Sequence, residues 1–161
     1  MEVRSMNNIM WNYLDKRNAT IAALKDYNDM RFIIDDYQNQ RSHLQDKMLG
    51  ITSPQPKLTT GRASFGNHQE DHLIEGLTKL EQANERYQAA LAYLKWFEPA
   101  WQELTEDEQW LLDVCYRTPN QSVNKGLLLV SDHFFIAKST AYNKKNQALD
   151  HLTLLLYGSH H

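Results

Sequence analysis

Apolar side chains return every three or four residues along most of this chain, the spacing that places them on one face of an α-helix. The first such stretch runs from Met6 to Leu49 without a Pro or Gly, and it would span about 65 Å as one helix. Gly50 is expected to end it, and a loop rich in Pro, Gly, Ser and Thr is expected over residues 50–66. The apolar residues of this stretch are Met10, Tyr13, Leu14, Ile21, Leu24, Tyr27, Met30, Ile34, Tyr37, Leu44 and Met48.

A second helix is predicted from Asn67 to Phe97, with Asn67 as its N-cap and Glu70 at its third position. Its apolar seam alternates steps of four and three residues, as in a coiled coil, and consists of Leu73, Leu77, Leu80, Asn84, Tyr87, Leu91 and Leu94. Because a stripe this narrow needs a partner, we expect the two helices to form a long antiparallel, coiled-coil-like hairpin in which the first helix overhangs by several turns. This hairpin, residues 1–100, is the predicted dimerisation and scaffold domain.

A C-terminal domain is predicted over residues 101–158. Thr105 and Glu108 have the spacing of a capping box for a helix within the segment from Leu104 to Tyr116. Further on, apolar residues predict a short helix and a turn, after which Lys138 opens a last helix; these apolar residues are Leu127, Val130, Phe134 and Ile136. This is helix-turn-helix spacing, so the expected fold is all-α, a helical hairpin followed by a helix-turn-helix domain.

The last helix is expected to have one apolar and one polar side. Its predicted spine is Ala141, Lys145 through its aliphatic stem, Ala148, Leu152 and Leu155. The opposite side carries Lys138, Ser139, Asn143, Lys144, Asn146 and Gln147, residue types that contact phosphates and base edges in duplex DNA.

Residues from Leu104 to Gly158 resemble the region-four helix-turn-helix of bacterial sigma factors, and more closely the ArpU/RinA-type phage regulators of late-gene transcription. The resemblance rests on LTEDEQWLL followed by Tyr116, on IAKSTAYNKKNQAL, and on the closing LLLYG. It is strong over roughly a third of the chain. The segment ITSP…TTGRASFGNHQEDHLIEGLTKL looks like the linker and second helix of small prophage proteins of this group.

The resemblance implies a phage or prophage transcriptional regulator that dimerises through its N-terminal region and reads double-stranded DNA with its last helix. The residues it places on DNA are Lys138, Ser139, Thr140, Tyr142, Asn143, Lys144, Lys145 and Asn146. The lysines would contact phosphates, Asn143 and Asn146 would read adenine, and Tyr142 would brace or touch the backbone.

Two alternatives remain open. The domain carries six acids against five Lys and Arg residues between Leu104 and Tyr157, and Ala137, Lys138 and Asn143 replace the Ser and two Arg residues of the family run. A protein-interaction module that docks on host RNA polymerase or another regulator would fit these features. A packaging protein of the small-terminase kind also joins a helix-turn-helix to oligomerising helices, and a ring-shaped oligomer would favour it.

Composition favours a cytoplasmic protein without a membrane span. The 161 residues carry a net charge of −3, a single cysteine, and no run of eighteen apolar residues. Cys115 lies in an apolar helix stripe, where a buried structural role is expected. Residues 159–161 are interpreted as a possible tag remnant.

No enzyme, cofactor or metal site is predicted. His68 and His72 lie four residues apart, but the sequence HQEDH differs from the zinc-protease motif and shows no third ligand. No phosphate loop or nucleophile elbow occurs. The aromatic residues Trp96, Phe97, Trp101 and Trp110 are expected to form either a dimer interface or the seat of the C-terminal domain.

Overall fold

The computed structural model describes residues 14–51 and 65–158, and within these ranges the chain forms helices and no strand. The helices are α1 (Lys16–Ile51), α2 (Phe65–Gln102), α3 (Glu106–Leu112), α4 (Val123–Phe134) and α5 (Lys138–Tyr157), with a π-helical turn over Asp113–Arg117. The all-α prediction is confirmed. Predictions for residues 1–13, for most of the 50–66 loop and for residues 159–161 lie outside the described ranges.

Helix α1 begins later than the periodicity predicts. Leu14 and Asp15 precede the helix, and the Asp15 carboxylate accepts a hydrogen bond from the backbone N–H of Asn18 at 3.1 Å. This is an N-cap interaction, which satisfies a backbone donor that has no partner inside the helix. The apolar spacing continues through the cap, so periodicity alone placed Leu14 inside the helix.

Helix α2 is longer than predicted at both ends. It begins at Phe65, so Asn67 lies inside the first turn and is not the N-cap, because Gly66 weakens a helix without ending it. It continues through Pro99 to Gln102, where the buried side chains of Ala100 and Trp101 hold the last turn in place. The two helices have 36 and 38 residues in the described ranges, and the expected overhang of α1 depends on residues before Leu14, which lie outside these ranges.

The chain divides into two compact units, and the divisions fall inside the two long helices. One unit is Met30–Ala92, and the other combines Met1–Asp29 with Tyr93–His161 as far as these ranges are described. In the first unit Tyr37 stacks on Tyr87 with ring centroids 4.1 Å apart, while Met48 lies against Gly76. The α1 and α2 segments of this unit therefore run antiparallel.

The seam of α2 is rotated from the predicted one. Leu77 is 57% exposed and Leu91 is exposed as well, so these two predicted seam residues face outward, while the exposed Asn84 only accepts a hydrogen bond from the Tyr37 hydroxyl at the edge of the contact. The inward positions instead step by three and four through Leu73, Gly76, Leu80, Ala83, Tyr87, Ala90, Leu94 and Phe97. Every second member before Phe97 is Gly or Ala, and small residues let two helix backbones approach closely.

The second unit contains the main apolar core. It unites residues of all five helices, including the fully buried Phe97, and its members are Ala23, Leu24, Phe97, Ala100, Trp101, Leu104, Leu111, Leu112, Cys115, Leu127, Val130, Ala141, Ala148, Leu149, Leu152 and Leu156. Phe97 and Trp101 stack with centroids 5.8 Å apart. Phe97 and Trp101 thus share a core with the C-terminal helices, and a dimer interface at the aromatic cluster stays a prediction.

The predicted capping box of α3 is confirmed. Thr105 Oγ1 accepts from the backbone N–H of Glu108, and the Glu108 carboxylate accepts from the backbone N–H of Thr105. The helix then widens into the π-helical turn, and α4 crosses close to this turn at Gly126. A Cβ on Gly126 would lie 2.8 Å from the Val114 carbonyl oxygen and 2.9 Å from the Cys115 Cα.

We expect Gly126→Ala to lower the free energy of unfolding by about 1–3 kcal/mol, because backbone atoms on the π-helical turn cannot yield to the added methyl group. Gly50→Ala is the matched control, since a Cβ at Gly50 meets nothing within 4 Å and Ala favours a helix. Urea unfolding followed by circular dichroism measures both. Equal stability of Gly126→Ala and the parent would show that the crossing is looser than described.

Candidate nucleic-acid interface

Helices α4 and α5 pack against each other and are joined by the three residues 135–137. Helix α4 begins after Ser122, whose hydroxyl oxygen accepts a hydrogen bond from the backbone N–H of Lys125. At its other end the backbone N–H of Ile136 donates to the Ser131 carbonyl at 3.1 Å, and the Ser131 hydroxyl donates to the Ile136 carbonyl. Ser131 therefore fixes the turn from both sides.

Phe135 holds a backbone conformation that side chains larger than glycine rarely adopt. Its φ is 53° and its ψ is 46°, in the left-handed region, and its side chain is 95% exposed. The sequence places Phe135 where such turns often use Gly or Asn, and the positive φ shows why those residues suit the position. The ring has no burial that would offset the strain, so its exposure needs another explanation.

The buried side of α5 largely matches the predicted spine. Ala141, Lys145, Ala148 and Leu152 are buried as expected, whereas Leu155 is 37% exposed and Leu156 is buried in its place. The predicted spine alternates steps of four and three residues, an average of 3.5, whereas a helix has 3.6 residues per turn. Over several turns such a repeat leaves the buried side, so the step after Leu152 is four residues and ends at Leu156. Leu149 and Thr153 are also buried, so the apolar side widens toward the C-terminus.

The polar side of α5 is open to solvent at its N-terminal half. Of the eight residues predicted to lie on DNA, six are exposed, namely Lys138, Ser139, Thr140, Tyr142, Asn143 and Lys144. Asn146 is half-buried. Gln147, which shares this face, is exposed too, so a polar surface extends over three turns of the helix.

Lys145 differs from the other seven because it belongs to the buried side. It is only 8% exposed, and its ammonium nitrogen lies 4.4 Å from the centroid of the Tyr142 ring. The Lys144 ammonium nitrogen lies 5.2 Å from the Phe134 ring centroid while its side chain stays exposed. Lys138 and Lys144 are thus the two lysines that the helix presents to solvent.

The C-terminal half of α5 is occupied by contacts with the beginning of α1. The Thr153 hydroxyl donates to the Thr20 hydroxyl oxygen at 2.9 Å in a fully buried pair, and Arg17 forms an ion pair with Asp150. These contacts lie beyond residue 148. Most of the polar side of residues 138–147 remains exposed to solvent.

Several acids of this unit are engaged by basic partners. Asp150 pairs with Arg17, and Glu108 lies 2.9 Å from Nδ1 of His151. Asp113 lies 3.1 Å from Arg117, and burial raises the pKa of its carboxyl group, an effect that Arg117 opposes. Residues 138–147 themselves contain three lysines and no acid, so the first half of α5 is locally positive although the domain as a whole is not.

A groove of about 200 Å³ runs between the start of α3 and the polar side of α5. Its walls are formed by Thr105, Asp107, Glu108, Leu111, Phe134, Lys144, Gln147 and Ala148. The groove brings Asp107 and Glu108 to the edge of the face that carries Lys144. Sequence reasoning missed this juxtaposition, because the spacing of α3 and α5 along the chain does not indicate which sides meet.

Cysteine and histidine are other residue types that could supply reactive side chains in the described ranges. Cys115 is buried, and burial raises the pKa of its thiol to about 11. His72 is exposed, while the side chain of His68 lies outside the described residues. Residues 14–51 and 65–158 show no group of three or more His, Cys, Asp or Glu side chains able to hold a metal ion. No helix in this part of the chain is long and apolar enough to cross a membrane.

Comparisons with protein-family models, with curated proteins and with solved structures find no match to this chain.

We expect Phe135→Asn to raise the free energy of unfolding by about 1 kcal/mol, because Asn tolerates the left-handed region and little burial is lost. Leu154→Asn is the control, since Leu154 is also exposed but has helical backbone, and this change should lower stability by a few tenths of a kcal/mol. Thermal unfolding of both variants at low protein concentration makes the comparison. A destabilised Phe135→Asn protein would mean that the ring supports the fold.

Proposed function

We propose that this protein is a DNA-binding transcriptional regulator of phage or prophage origin, and that the first half of α5 reads the major groove. The observation that carries the proposal is the exposed polar face of residues 138–147, which has lysines, hydroxyls and amides and no acid. A helix that served only as a surface element would not need this composition, since Glu is an equally good helix former. The resemblance to ArpU/RinA-type regulators is the reason for proposing a transcriptional regulator of phage or prophage origin.

Each exposed side chain has a role that its chemistry allows. Lys138 and Lys144 would neutralise phosphates and act alike on all sequences. Asn143 would form the paired hydrogen bonds that distinguish adenine in the major groove. Ser139 and Thr140 would bond phosphate oxygens near the start of the helix, where backbone N–H groups are also unpaired because Ala137 supplies no side-chain cap.

The buried residues of α5 would orient this face. The Lys145 stem packs into the core, and its ammonium group lies over the Tyr142 ring, so Lys145 positions Tyr142 instead of reaching a phosphate. The Thr20–Thr153 and Arg17–Asp150 contacts fix the other half of the helix on α1. With two exposed lysines, one domain should bind weakly, which fits a regulator that acts as a dimer.

A second candidate function is docking on host RNA polymerase or another regulator without contact to DNA. It is favoured by the groove in which Asp107 and Glu108 border Lys144, since acids at the edge of a DNA-reading face repel phosphates. The exposed side chains of Leu128, Leu129 and Phe135 nearby are also typical of protein interfaces.

We expect the double variant Asn143→Ala, Lys144→Ala to bind duplex DNA roughly tenfold or more weakly than the parent, because an adenine-reading amide and a phosphate-neutralising lysine are both removed. The dependence of the logarithm of affinity on the logarithm of salt concentration should also become shallower, by about 0.9, because one phosphate contact is lost. Fluorescence titration of duplexes from the promoters of the encoding gene cluster measures both quantities.

The matched control is Asn39→Ala, Lys47→Ala, which removes the same two residue types from exposed positions on α1. This control should bind as the parent does. Equal binding by the α5 variant and the parent would exclude the proposed face. A parent that binds no duplex at low salt would contradict DNA reading and leave the docking function.

A further inference from the structure

We propose that the outer side of α4 is a self-association surface, on which a second copy of this chain packs its own α4 in the antiparallel direction about a two-fold axis. The surface consists of Lys125, Leu128, Leu129 and Asp132, with Phe135 at its end.

Helix α4 has apolar residues on two opposite sides. Gly126, Leu127 and Val130 are buried in the core of the unit, whereas Leu128 is 52% and Leu129 43% exposed. At 3.6 residues per turn, positions 125, 128, 129 and 132 form one continuous stripe on the side opposite to the buried one. A helix with an apolar stripe on each side is normally covered on both, so the outer stripe calls for a partner.

The charges at the two ends of this stripe identify the partner as a second copy. Lys125 and Asp132 carry opposite charges and flank the two leucines symmetrically, and neither forms an ion pair with another described residue. If two copies of α4 pack antiparallel with Leu128 level with the second copy's Leu129, then Lys125 of each copy is level with Asp132 of the other. Two ion pairs then close around an apolar centre. A surface that complements itself in this way fits a two-fold dimer.

Direction is determined by the same charges. A parallel pairing would set Lys125 against Lys125 and Asp132 against Asp132, which is repulsive at both ends. Only the antiparallel pairing satisfies both charges.

The exposed ring of Phe135 also gains a contact in this arrangement. In the same register it is level with Ser122 of the second copy, at the position where that copy's α4 begins. There its exposed ring could cover the edge of the leucine contact, which would account for an aromatic residue in the left-handed conformation with no burial inside its own chain. The contact is one helix wide, so we expect a dimer at the weak end of stable interfaces.

The second exposed apolar stripe, formed on α2 by Ile74, Leu77 and Leu91, does not show the same complementarity. These residues are exposed, but the positions between Leu77 and Leu91 on the stripe are the polar residues Glu81, Asn84 and Gln88. The α2 stripe therefore serves as the competing surface in the test.

Charge exchange tests the pairing without DNA. In a dimer of the Lys125→Glu variant, an acid faces an acid at both ends of the contact. In a dimer of the Asp132→Lys variant, a lysine faces a lysine at both ends. Each single variant should therefore raise the dimer dissociation constant roughly tenfold. An equimolar mixture of the two variants should restore dimerisation to about the parental level. In the mixed dimer a lysine faces an acid at each end of the contact. Sedimentation velocity at high micromolar concentration, with one variant labelled, measures the mixed species.

The leucine contact is tested by Leu128→Asp, which should abolish dimers, against Leu77→Asp, which has a similar exposure and should leave them intact. Both sites are at the surface, and circular dichroism verifies that each variant is folded. A parent that stays monomeric, a mixture that associates no better than its components, or a Leu77→Asp protein that alone loses dimers would overturn the proposal. None of these outcomes depends on DNA binding, which the α5 titration tests separately.

Discussion

The guanidinium group of Arg117 holds together the unit that carries the candidate interface. Its central carbon lies 3.6 Å from the ring centroid of Tyr27 on α1 and 4.4 Å from that of Trp101 on α2. Its Nε is buried and has no hydrogen bond with a described residue, although Asp113 Oδ1 is 3.1 Å away, so the aromatic sandwich carries the interaction. A desolvated cation–π contact stabilises by about 2 kcal/mol or more. Helix α4 packs on the π-helical turn that ends at Arg117, and α5 packs on α4. The position of Arg117 therefore contributes to the orientation of both helices.

Apolar periodicity predicted the existence of the long helices better than it predicted their inward sides. Following the largest apolar residues of α2 selects Leu77 and Leu91, yet Ala83 and Ala90 are the residues that are buried. Both sets repeat every seven residues, so spacing cannot choose between them. The choice depends on how closely the partner helix approaches. The Tyr37 and Tyr87 rings, which stack between the two helices, are 50 positions apart in sequence and carry no local signal of their pairing.

Local chemistry was more informative at the candidate interface. The capping box of Thr105 and Glu108 involves residues three apart, and it was predictable for that reason. The groove between α3 and α5 was not, because it depends on which side of α3 faces Lys144, and that follows from core packing around Leu111 and Ala148. The same packing places Glu108 against His151, a pairing of residues 43 positions apart.

The length of α5 explains how one helix can both anchor and present a surface. Its twenty residues make more than five turns, and the buried side widens only after Ala148, where Leu149, Thr153 and Leu156 join the core. In a shorter helix the same turns would have to pack against α1 and also present the polar surface. The packing would then cover part of the polar side. Here the second half is held by a buried hydroxyl pair and an ion pair to α1, whose geometry is more specific than apolar contact alone. The first half can therefore remain polar on its whole outer side and still keep a fixed direction, which the proposed reading of a rigid duplex would require.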